Sequence, residues 1–253
     1  MLKSKFEELV NLVKKLRKEC PWDREQTNDS IKSATIEEAY EVVDAIDKKD
    51  YEELKKELGD LLLHIVFHSI IAEEDNKFKL VEVIDSIKEK LINRHPHVFG
   101  NVKVNNSDDV KRNWEMIKLD EGRESVLEGI PDNLPSLQKA HRMQEKAAKV
   151  GFDWKRKEDV WKKVEEEINE MHEAENNKSI VEIEEEIGDV IFSIVNYARF
   201  IGVNPENALR KTNNKFVKRF SYVEKSIKEK GKKIGESNLE EMDFYWNKSK
   251  KLL

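Results

Sequence analysis

The amino-acid sequence predicts an all-α protein built from two tandem, duplicated helical-bundle domains. Glycine and proline, which interrupt helices, number only 9 and 5 in 253 residues. Apolar residues recur at helical spacing along most of the chain. A pattern of carboxylates also occurs twice at the same spacing, which indicates an internal duplication.

The first half contains three apolar stripes that are typical of amphipathic helices. They cover residues 6–16, 36–46 and 54–65. Asp50 is predicted to cap the helix that begins at Tyr51, because its carboxylate can accept hydrogen bonds from the first free amides. Residues 95–107 read as irregular, and 98–104 is the one weak strand candidate in the chain.

A segment with two glycines and two prolines, 121–135, is predicted to link the two halves. This places one domain at 1–120 and the other at 136–253. The helical pattern then resumes in five segments, at 136–149, 158–176, 179–201, 205–230 and 239–252. Pro205 fits the first turn of its helix, where a missing N–H costs nothing.

The charge pattern excludes several classes of partner. The net charge is -6, and the 46 basic and 52 acidic residues are interleaved, which argues against a broad surface for nucleic acid or anionic membrane. Cys20 is the single cysteine, and residues 1–10 lack the apolar core of a signal peptide, so we expect a cytoplasmic protein. The longest apolar stretch, 61–72, is too short and too polar to span a bilayer.

The repeated carboxylates read EExxE followed by ExxD, and the ExxD begins 19 residues after Glu38 in one copy and 19 after Glu167 in the other. The copies are Glu37, Glu38, Glu41, Glu57 and Asp60, and then Glu166, Glu167, Glu170, Glu186 and Asp189. Residues three apart share a helix face, so two antiparallel helices would bring four carboxylates together. Such like charges need a counter-charge, and an all-oxygen ligand set suits Mg²⁺ or Mn²⁺.

Each ExxD contains a glycine beside its aspartate, Gly59 in the first copy and Gly188 in the second. Glycine inside a helix costs about 1 kcal/mol, and a close backbone approach at the site is one reason to tolerate it. The alternative is that EExxE is only a solvated helix face, since 39% of the residues are charged. The double occurrence at equal spacing favours the metal site.

The repeat extends beyond the acids. Lys90 and Arg94 in the first half match Lys215 and Arg219 in the second. A lysine and an arginine four apart on one helix can hold phosphate oxygens, the arginine in a two-pronged fork. Trp246 can stack on a base or on the arginine. A metal site, a cation pair and an aromatic residue together predict a site for a nucleotide polyphosphate.

These motifs resemble those of the MazG family of the all-α NTP pyrophosphatases over nearly the full chain. The matching motifs are Cys20-Pro-Trp-Asp23, Glu57-Leu-Gly-Asp-Leu-Leu62, Arg94-His-Pro-His-Val-Phe99, Val150-Gly-Phe-Asp-Trp154, Glu186-Ile-Gly-Asp189 and Lys215-Phe-Val-Lys-Arg-Phe220. The resemblance implies two tandem helical domains, a homodimer, Mg²⁺ dependence, and cleavage of nucleoside triphosphates to the monophosphate and pyrophosphate.

The resemblance also implies roles for residues of the second half. The implied metal ligands are Glu167, Glu170, Glu186 and Asp189. The implied nucleotide contacts are Lys163, Asp189, Lys215, Arg219 and Trp246. The predicted catalytic acids are Glu166, Glu167 and Glu170, with Glu166 able to accept the proton of the attacking water. A second metal site is predicted at Glu38, Glu41, Glu57 and Asp60.

The two halves differ beside the acids. Ala34 and Phe67 occupy the first-half positions that correspond to Lys163 and Asn196. Since alanine cannot contact a phosphate, we expect the second half to carry most of the turnover; the alternative is two equally competent sites. His64 and His68 are interpreted as core or interface residues rather than zinc ligands, because no cysteine or third histidine lies nearby in the pattern.

The function predicted from the sequence is metal-dependent hydrolysis of nucleoside triphosphates, in nucleotide-pool housekeeping or stress-related nucleotide control. The alternative, from another class, is a nucleotide-sensing regulatory or scaffold module without significant turnover. The intact acid pattern in both copies favours the enzyme, because a pure binder would tolerate the loss of an acid.

Overall fold

The computed structural model describes residues 1–122, 124–177 and 179–252. Over these residues the chain forms twelve α-helices and one short 3-10 turn, with no β-strand. The all-α prediction is confirmed. The strand predicted at 98–104 is wrong. Pro96 begins a short helix, Pro96–Phe99, which includes the first two residues of this segment.

The chain divides into two compact units, Met1–Lys103 and Val104–Leu253. The division falls earlier than the segment 121–135, because the helix Ser107–Asp120 packs against the helix Ser136–Lys149. The segment therefore lies inside the second unit. The domain limits inferred from the repeat stay a prediction.

The first unit contains six helices. They are α1 (Leu2–Glu19), α2 (Pro21–Glu25), α3 (Lys32–Lys48), α4 (Tyr51–Glu74), α5 (Leu80–Asn93) and α6 (Pro96–Phe99). Helices α3 and α4 pack along each other, and α1 and α5 pack on α4. The Asp50 side chain accepts hydrogen bonds from the amides of Glu52 and Glu53, at 3.1 and 3.0 Å, so the predicted cap of α4 is confirmed.

The core of the first unit forms where α1 meets α4. Its buried side chains are Val13, Ile31, Val66, Phe67, Ile70 and Ile71. Arg17 of α1 is buried beside this core, with its guanidinium 5.5 Å from the centre of the Phe67 ring. It donates to the main-chain oxygens of Asp23 and Gln26 and pairs with Glu74. The buried Arg17 therefore links the loop after α2 to the core through hydrogen bonds.

The second unit contains the remaining helices. They are α7 (Ser107–Asp120), α8 (Ser136–Lys149), α9 (Lys157–Asn177), α10 (Ile180–Phe200), α11 (Pro205–Glu229) and α12 (Leu239–Leu252), with a 3-10 turn at Ile234–Glu236. Helices α9 and α10 pack along each other as α3 and α4 do. The Asn204 side chain caps α11, and Pro205 lies in its first turn, as predicted.

A buried lysine in the second unit mirrors Arg17. Lys146 lies 129 residues after Arg17, the offset that also separates Glu167 from Glu38 (146 − 17 = 167 − 38). Its side chain is buried, and Nζ donates to the main-chain oxygens of Val126 at 2.8 Å and Glu128 at 3.1 Å. Both units thus have a buried cationic side chain at the equivalent position, and in each unit it donates hydrogen bonds to main-chain oxygens of a nearby loop. In the part of the chain that the structure describes, no helix is long and apolar enough to cross a membrane.

Candidate functional site

The second unit brings three carboxylates together between α9 and α10. Oxygens of Glu167, Glu186 and Asp189 all lie within 4.8 Å of one another, and we call these residues the second acid cluster. Glu167 comes from the EExxE helix and the other two from the ExxD helix, so the predicted convergence of the two motifs is observed. Glu170 lies outside the cluster but next to it. A hydrogen bond with Glu167, together with burial, raises the pKa of Glu170.

Lys163 supplies positive charge to this cluster. It lies one turn before Glu167 on α9, and its Nζ donates to Glu166 Oε1 at 2.6 Å and to Glu167 Oε1 at 2.7 Å. These hydrogen bonds, first to Glu166 and then to Glu167, raise the pKa of Lys163. The ammonium group therefore stays charged, and it holds the predicted base Glu166 next to the cluster.

The cluster fits a divalent cation. Oε2 of Glu186 is buried and has no hydrogen-bond partner among the described residues. A buried carboxylate oxygen without a donor is costly unless a cation or an ordered water satisfies it. Because all ligand atoms are carboxylate oxygens, the set suits Mg²⁺ or Mn²⁺ better than zinc.

A pocket of about 120 Å³ opens beside the second acid cluster. Its lining residues are Trp154, Val160, Lys163, Glu167, Asp189, Phe192, Ser193 and Asn196. A larger cavity in the same unit, of about 870 Å³, touches none of the predicted acids. Its charged groups pair with one another, Arg199 with Asp153 and Lys149 with Glu145, so we assign it no chemistry. The smaller pocket is the one that adjoins the cluster.

The first unit holds a similar cluster between α3 and α4. Oxygens of Glu38, Glu41 and Glu57 lie within 4.8 Å of one another, and we call these residues the first acid cluster. Burial raises the pKa of Glu38, and the negative charges of Glu41 and Asp60 add to the effect. Burial and hydrogen bonds with Glu53 and Glu41 raise the pKa of Glu57 to about 7. Asp60 lies outside this trio, although its counterpart Asp189 belongs to the second acid cluster.

Next to the first acid cluster, a histidine replaces one of the residues that line the pocket of the second unit. His64 occupies the position of Ser193, and its Nδ1 lies 2.9 Å from the Thr35 hydroxyl. The same hydroxyl lies 2.8 Å from Nε2 of His68, whose Nδ1 contacts Asn28 Oδ1 at 2.6 Å. This network was not predicted from the sequence, although two histidines four residues apart on one helix indicate side chains on a shared face.

Comparison with known proteins agrees with the duplicated architecture. The MazG nucleotide pyrophosphohydrolase domain model matches the chain twice, at residues 26–99 and 155–223. The chain belongs to the MazG family. The two matches fall in different units, which confirms the tandem duplication predicted from the carboxylate pattern.

The MazG relatives align along nearly the whole chain. A nucleoside triphosphate pyrophosphohydrolase/pyrophosphatase MazG from Thermotoga maritima is 46% identical over 250 residues, which cover 97% of this chain and 95% of the relative. A nucleoside triphosphate pyrophosphohydrolase from Escherichia coli K12 is 40% identical over 259 residues, which cover 98% of each chain. An uncharacterized protein of Bacillus subtilis, YabN, is 43% identical over 99% of this chain and 52% of its own length.

The predicted nucleotide contacts on α11 and α12 of this MazG chain form a separate group. The Arg219 guanidinium lies 5.9 Å from the centre of the Trp246 ring, and Phe216 packs against the same ring at 5.2 Å. Nε of Arg219 is buried without a hydrogen-bond partner among the described residues, while Lys215 is exposed. Within the described part of the chain, no hydrogen bond or ion pair links this group to the second acid cluster.

The expected close approach at the two glycines of the MazG motifs is wrong. A Cβ built on Gly59 or Gly188 would meet no atom within 4 Å. Both residues are helical and have ordinary φ values, so the fold itself does not require glycine at either position. Crowding within the described residues does not explain these glycines.

Proposed function

We propose that this MazG protein hydrolyses nucleoside triphosphates to nucleoside monophosphates and pyrophosphate at the second acid cluster. The observation that carries the proposal is the trio of Glu167, Glu186 and Asp189, with one buried oxygen unsatisfied and Lys163 alongside. The names of the two full-length relatives, which describe nucleoside triphosphate pyrophosphohydrolases, support the choice of reaction.

Glu167, Glu186 and Asp189 would hold Mg²⁺ or Mn²⁺, with Glu170 close enough to join them. Such an ion neutralises developing charge on the phosphates and favours ionisation of a bound water. The protein's own groups complete the chemistry. Glu166 is outside the trio, and it is the carboxylate best placed to accept a proton, because Lys163 holds it next to the cluster.

Cationic residues of the second unit would bind the phosphates. Lys163 would exchange its contacts with Glu166 and Glu167 for contacts with phosphate oxygens. Arg219 has a buried N–H without an acceptor among the described residues, which suits an anion, and Lys215 is exposed one turn away on α11. Trp246, under the Arg219 guanidinium, keeps this fork in place.

The test is product analysis. A mixed pool of nucleoside triphosphates with Mg²⁺ should yield monophosphates and pyrophosphate on anion-exchange chromatography, and reaction in ¹⁸O-water should place the label in the monophosphate. EDTA should abolish turnover, and added Mg²⁺ should restore it. Release of diphosphate and phosphate, or full activity in chelator, would contradict the proposal. Tight nucleotide binding without any turnover would favour the sensing module instead.

We further propose that the protein is a homodimer. Each unit exposes an apolar stripe at matching positions, and each of the six side chains is 38–50% exposed. The stripes are Leu58, Leu62 and Ile65 on α4, and Ile187, Ile191 and Ile194 on α10. An apolar surface repeated in this way favours burial against a second copy of the chain.

The dimer proposal is tested by light scattering after size-exclusion chromatography. The wild type should have twice the mass of one chain. Ile191→Glu should dissociate it, because the substitution places a charge in the stripe. Val181→Glu is the control, since Val181 is 62% exposed and lies on a different face of α10 from the stripe. A monomeric wild type would refute the proposal.

A further inference from the structure

The pocket beside the second acid cluster has the size and walls of a site for a single flat ring. Its volume is about 120 Å³, well below the roughly 300–1,000 Å³ of pockets that enclose a whole drug-sized ligand. Trp154, Val160 and Phe192 give it apolar and aromatic walls. Lys163 and Glu167 line the same pocket, so a ligand bound there would extend directly into the acids.

Two polar side chains of α10 line this pocket, and their hydrogen bonds fix which atoms can donate and which can accept. The Asn196 Oδ1 accepts a hydrogen bond from the Arg199 Nε at 2.9 Å. Because a guanidinium has only donors, this contact fixes the amide orientation and leaves the Asn196 Nδ2 as a donor. The Ser193 hydroxyl donates to the Val190 carbonyl at 2.9 Å, which leaves its oxygen as an acceptor. The pocket therefore offers one donor and one acceptor, three residues apart on one helix face.

Arg199 also fixes the aromatic wall. Its Nη1 and Nη2 donate to the two carboxylate oxygens of Asp153, at 3.0 and 2.5 Å. Oδ1 of Asp153 in turn accepts the backbone N–H of Trp154 at 2.9 Å. The Arg199 side chain is only 12% exposed, so this fork is held inside the unit. One guanidinium thus orients both the Asn196 amide and the loop that carries Trp154.

We propose that this pocket binds the base of the nucleotide, through Trp154, Ser193 and Asn196, and that Arg199 is the positioning residue that holds them in place. The inference rests on the proposed function, because it identifies which part of the substrate the second unit recognises. A nucleobase matches the pocket in shape and chemistry: it is flat, stacks on aromatic rings and carries donors and acceptors on its edge.

The first unit cannot form the same pocket. At the offset of 129 residues, Asn196 corresponds to Phe67 and Arg199 to Ile70. Both counterparts are buried in the core of the first unit, and neither has a polar group to offer a base. Base recognition of this kind is therefore confined to the second unit.

The first experiment separates the base from the rest of the ligand. Isothermal titration with Mg²⁺ measures binding of the four common nucleoside 5′-monophosphates, ribose 5-phosphate and pyrophosphate. The wild type should bind the best monophosphate more tightly than ribose 5-phosphate. Asn196→Ala and Ser193→Ala should weaken monophosphate binding by up to about tenfold each, and leave ribose 5-phosphate and pyrophosphate unchanged.

The second experiment tests the positioning role. Arg199→Met should weaken binding of the monophosphate and raise KM for triphosphates, with pyrophosphate binding kept. Arg199→Lys should recover part of the loss, because it restores the charge but not the fork. Arg156→Met is the matched control, since Arg156 pairs with Glu158 in the same loop region and is exposed. Thermal unfolding of each variant reports whether it has folded.

Three results would overturn the inference: equal binding of monophosphate and ribose 5-phosphate by the wild type, unchanged monophosphate binding in Asn196→Ala and Ser193→Ala, or parallel losses for monophosphate and pyrophosphate. If Arg199→Met does not fold, the two α10 variants still decide the matter. A wild type that binds monophosphates through this pocket but releases no pyrophosphate from any triphosphate would refute the proposed reaction alone.

Discussion

Lys163 sets the charge balance of the second acid cluster. Its ammonium group touches Glu166 and Glu167, whereas its counterpart in the first unit, Ala34, has no charge to offer. A lysine in this position has two opposing effects. It would attract the phosphates of a substrate, and it would compete with a divalent cation for the same carboxylates.

Replacing Lys163 should therefore move two measurements in opposite directions. Lys163→Met is expected to lower turnover roughly tenfold or more, because a contact with a charged group is worth about 1.5–3 kcal/mol. The same variant should bind Mn²⁺ more tightly than the wild type in titration calorimetry. Lys162→Met is the control, because Lys162 pairs with Asp159 on the same helix, away from the cluster. Weaker metal binding in Lys163→Met would contradict this account.

We expect His68 to make the stability of the first unit depend on pH. Burial, followed by the nearby His64, lowers the pKa of His68, so the folded state binds fewer protons than the unfolded chain. Stability should then be lost as pH falls through the ordinary histidine pKa of about 6.5. We expect the unfolding temperature of the wild type to fall as the pH is lowered from about 7.5 to about 5. The fall should be smaller in His68→Gln. His172→Gln, at an exposed histidine, should follow the wild type.

At the scale of single elements, most helices follow from sequence periodicity and caps. Helix α8 occupies Ser136–Lys149 as predicted, and α9 at Lys157–Asn177 differs from its predicted limits by one residue at each end. The strand candidate failed because apolar alternation over a few residues cannot outweigh a proline that starts a helical turn. The role suggested for Gly188 failed because neighbours in space are not encoded in helical spacing.

The open space around the two glycines makes a stability prediction for α4 and α10. Gly188→Ala and Gly59→Ala should each stabilise the protein by about 0.5–1 kcal/mol, since alanine reduces the entropy lost on folding and meets no atom within 4 Å. Chemical denaturation measures the change. Destabilisation by either variant would show that a neighbouring group, such as a second chain, approaches the glycine.

At the scale of the whole molecule, duplication has left two acid clusters with different surroundings. The equal spacing of the motifs predicted that four acids would meet in each unit, and the structure brings three of the four together in each. The pocket of the second unit was not predictable in this way, because Asp153 and Arg199 are 46 residues apart and meet only through tertiary packing. The sequence did reveal one difference, Phe67 in the first unit at the position of Asn196 in the second, but it did not show what either residue contacts.

This difference predicts a division of work between the units. Glu167→Gln should nearly abolish turnover, while Glu38→Gln should leave most of it. The reason is that Lys163 and the pocket lie beside the second cluster, whereas Ala34 stands in place of the lysine in the first unit. The measurement is kcat for each single variant, with metal binding and oligomeric state checked. Equal losses would show that both units contribute, and a larger loss from Glu38→Gln would reverse the assignment.

The buried Lys146 has a consequence for where the chain can be cut. Its ammonium donates to the carbonyls of Val126 and Glu128, which precede the repeat-based domain limit. A fragment that starts at residue 136 would lose both acceptors and leave a charge with fewer partners in the interior. We expect it to melt at a lower temperature than a fragment that starts at residue 104, and to be cleaved faster by trypsin. We therefore expect the smallest stable fragment of the second half to begin before residue 136.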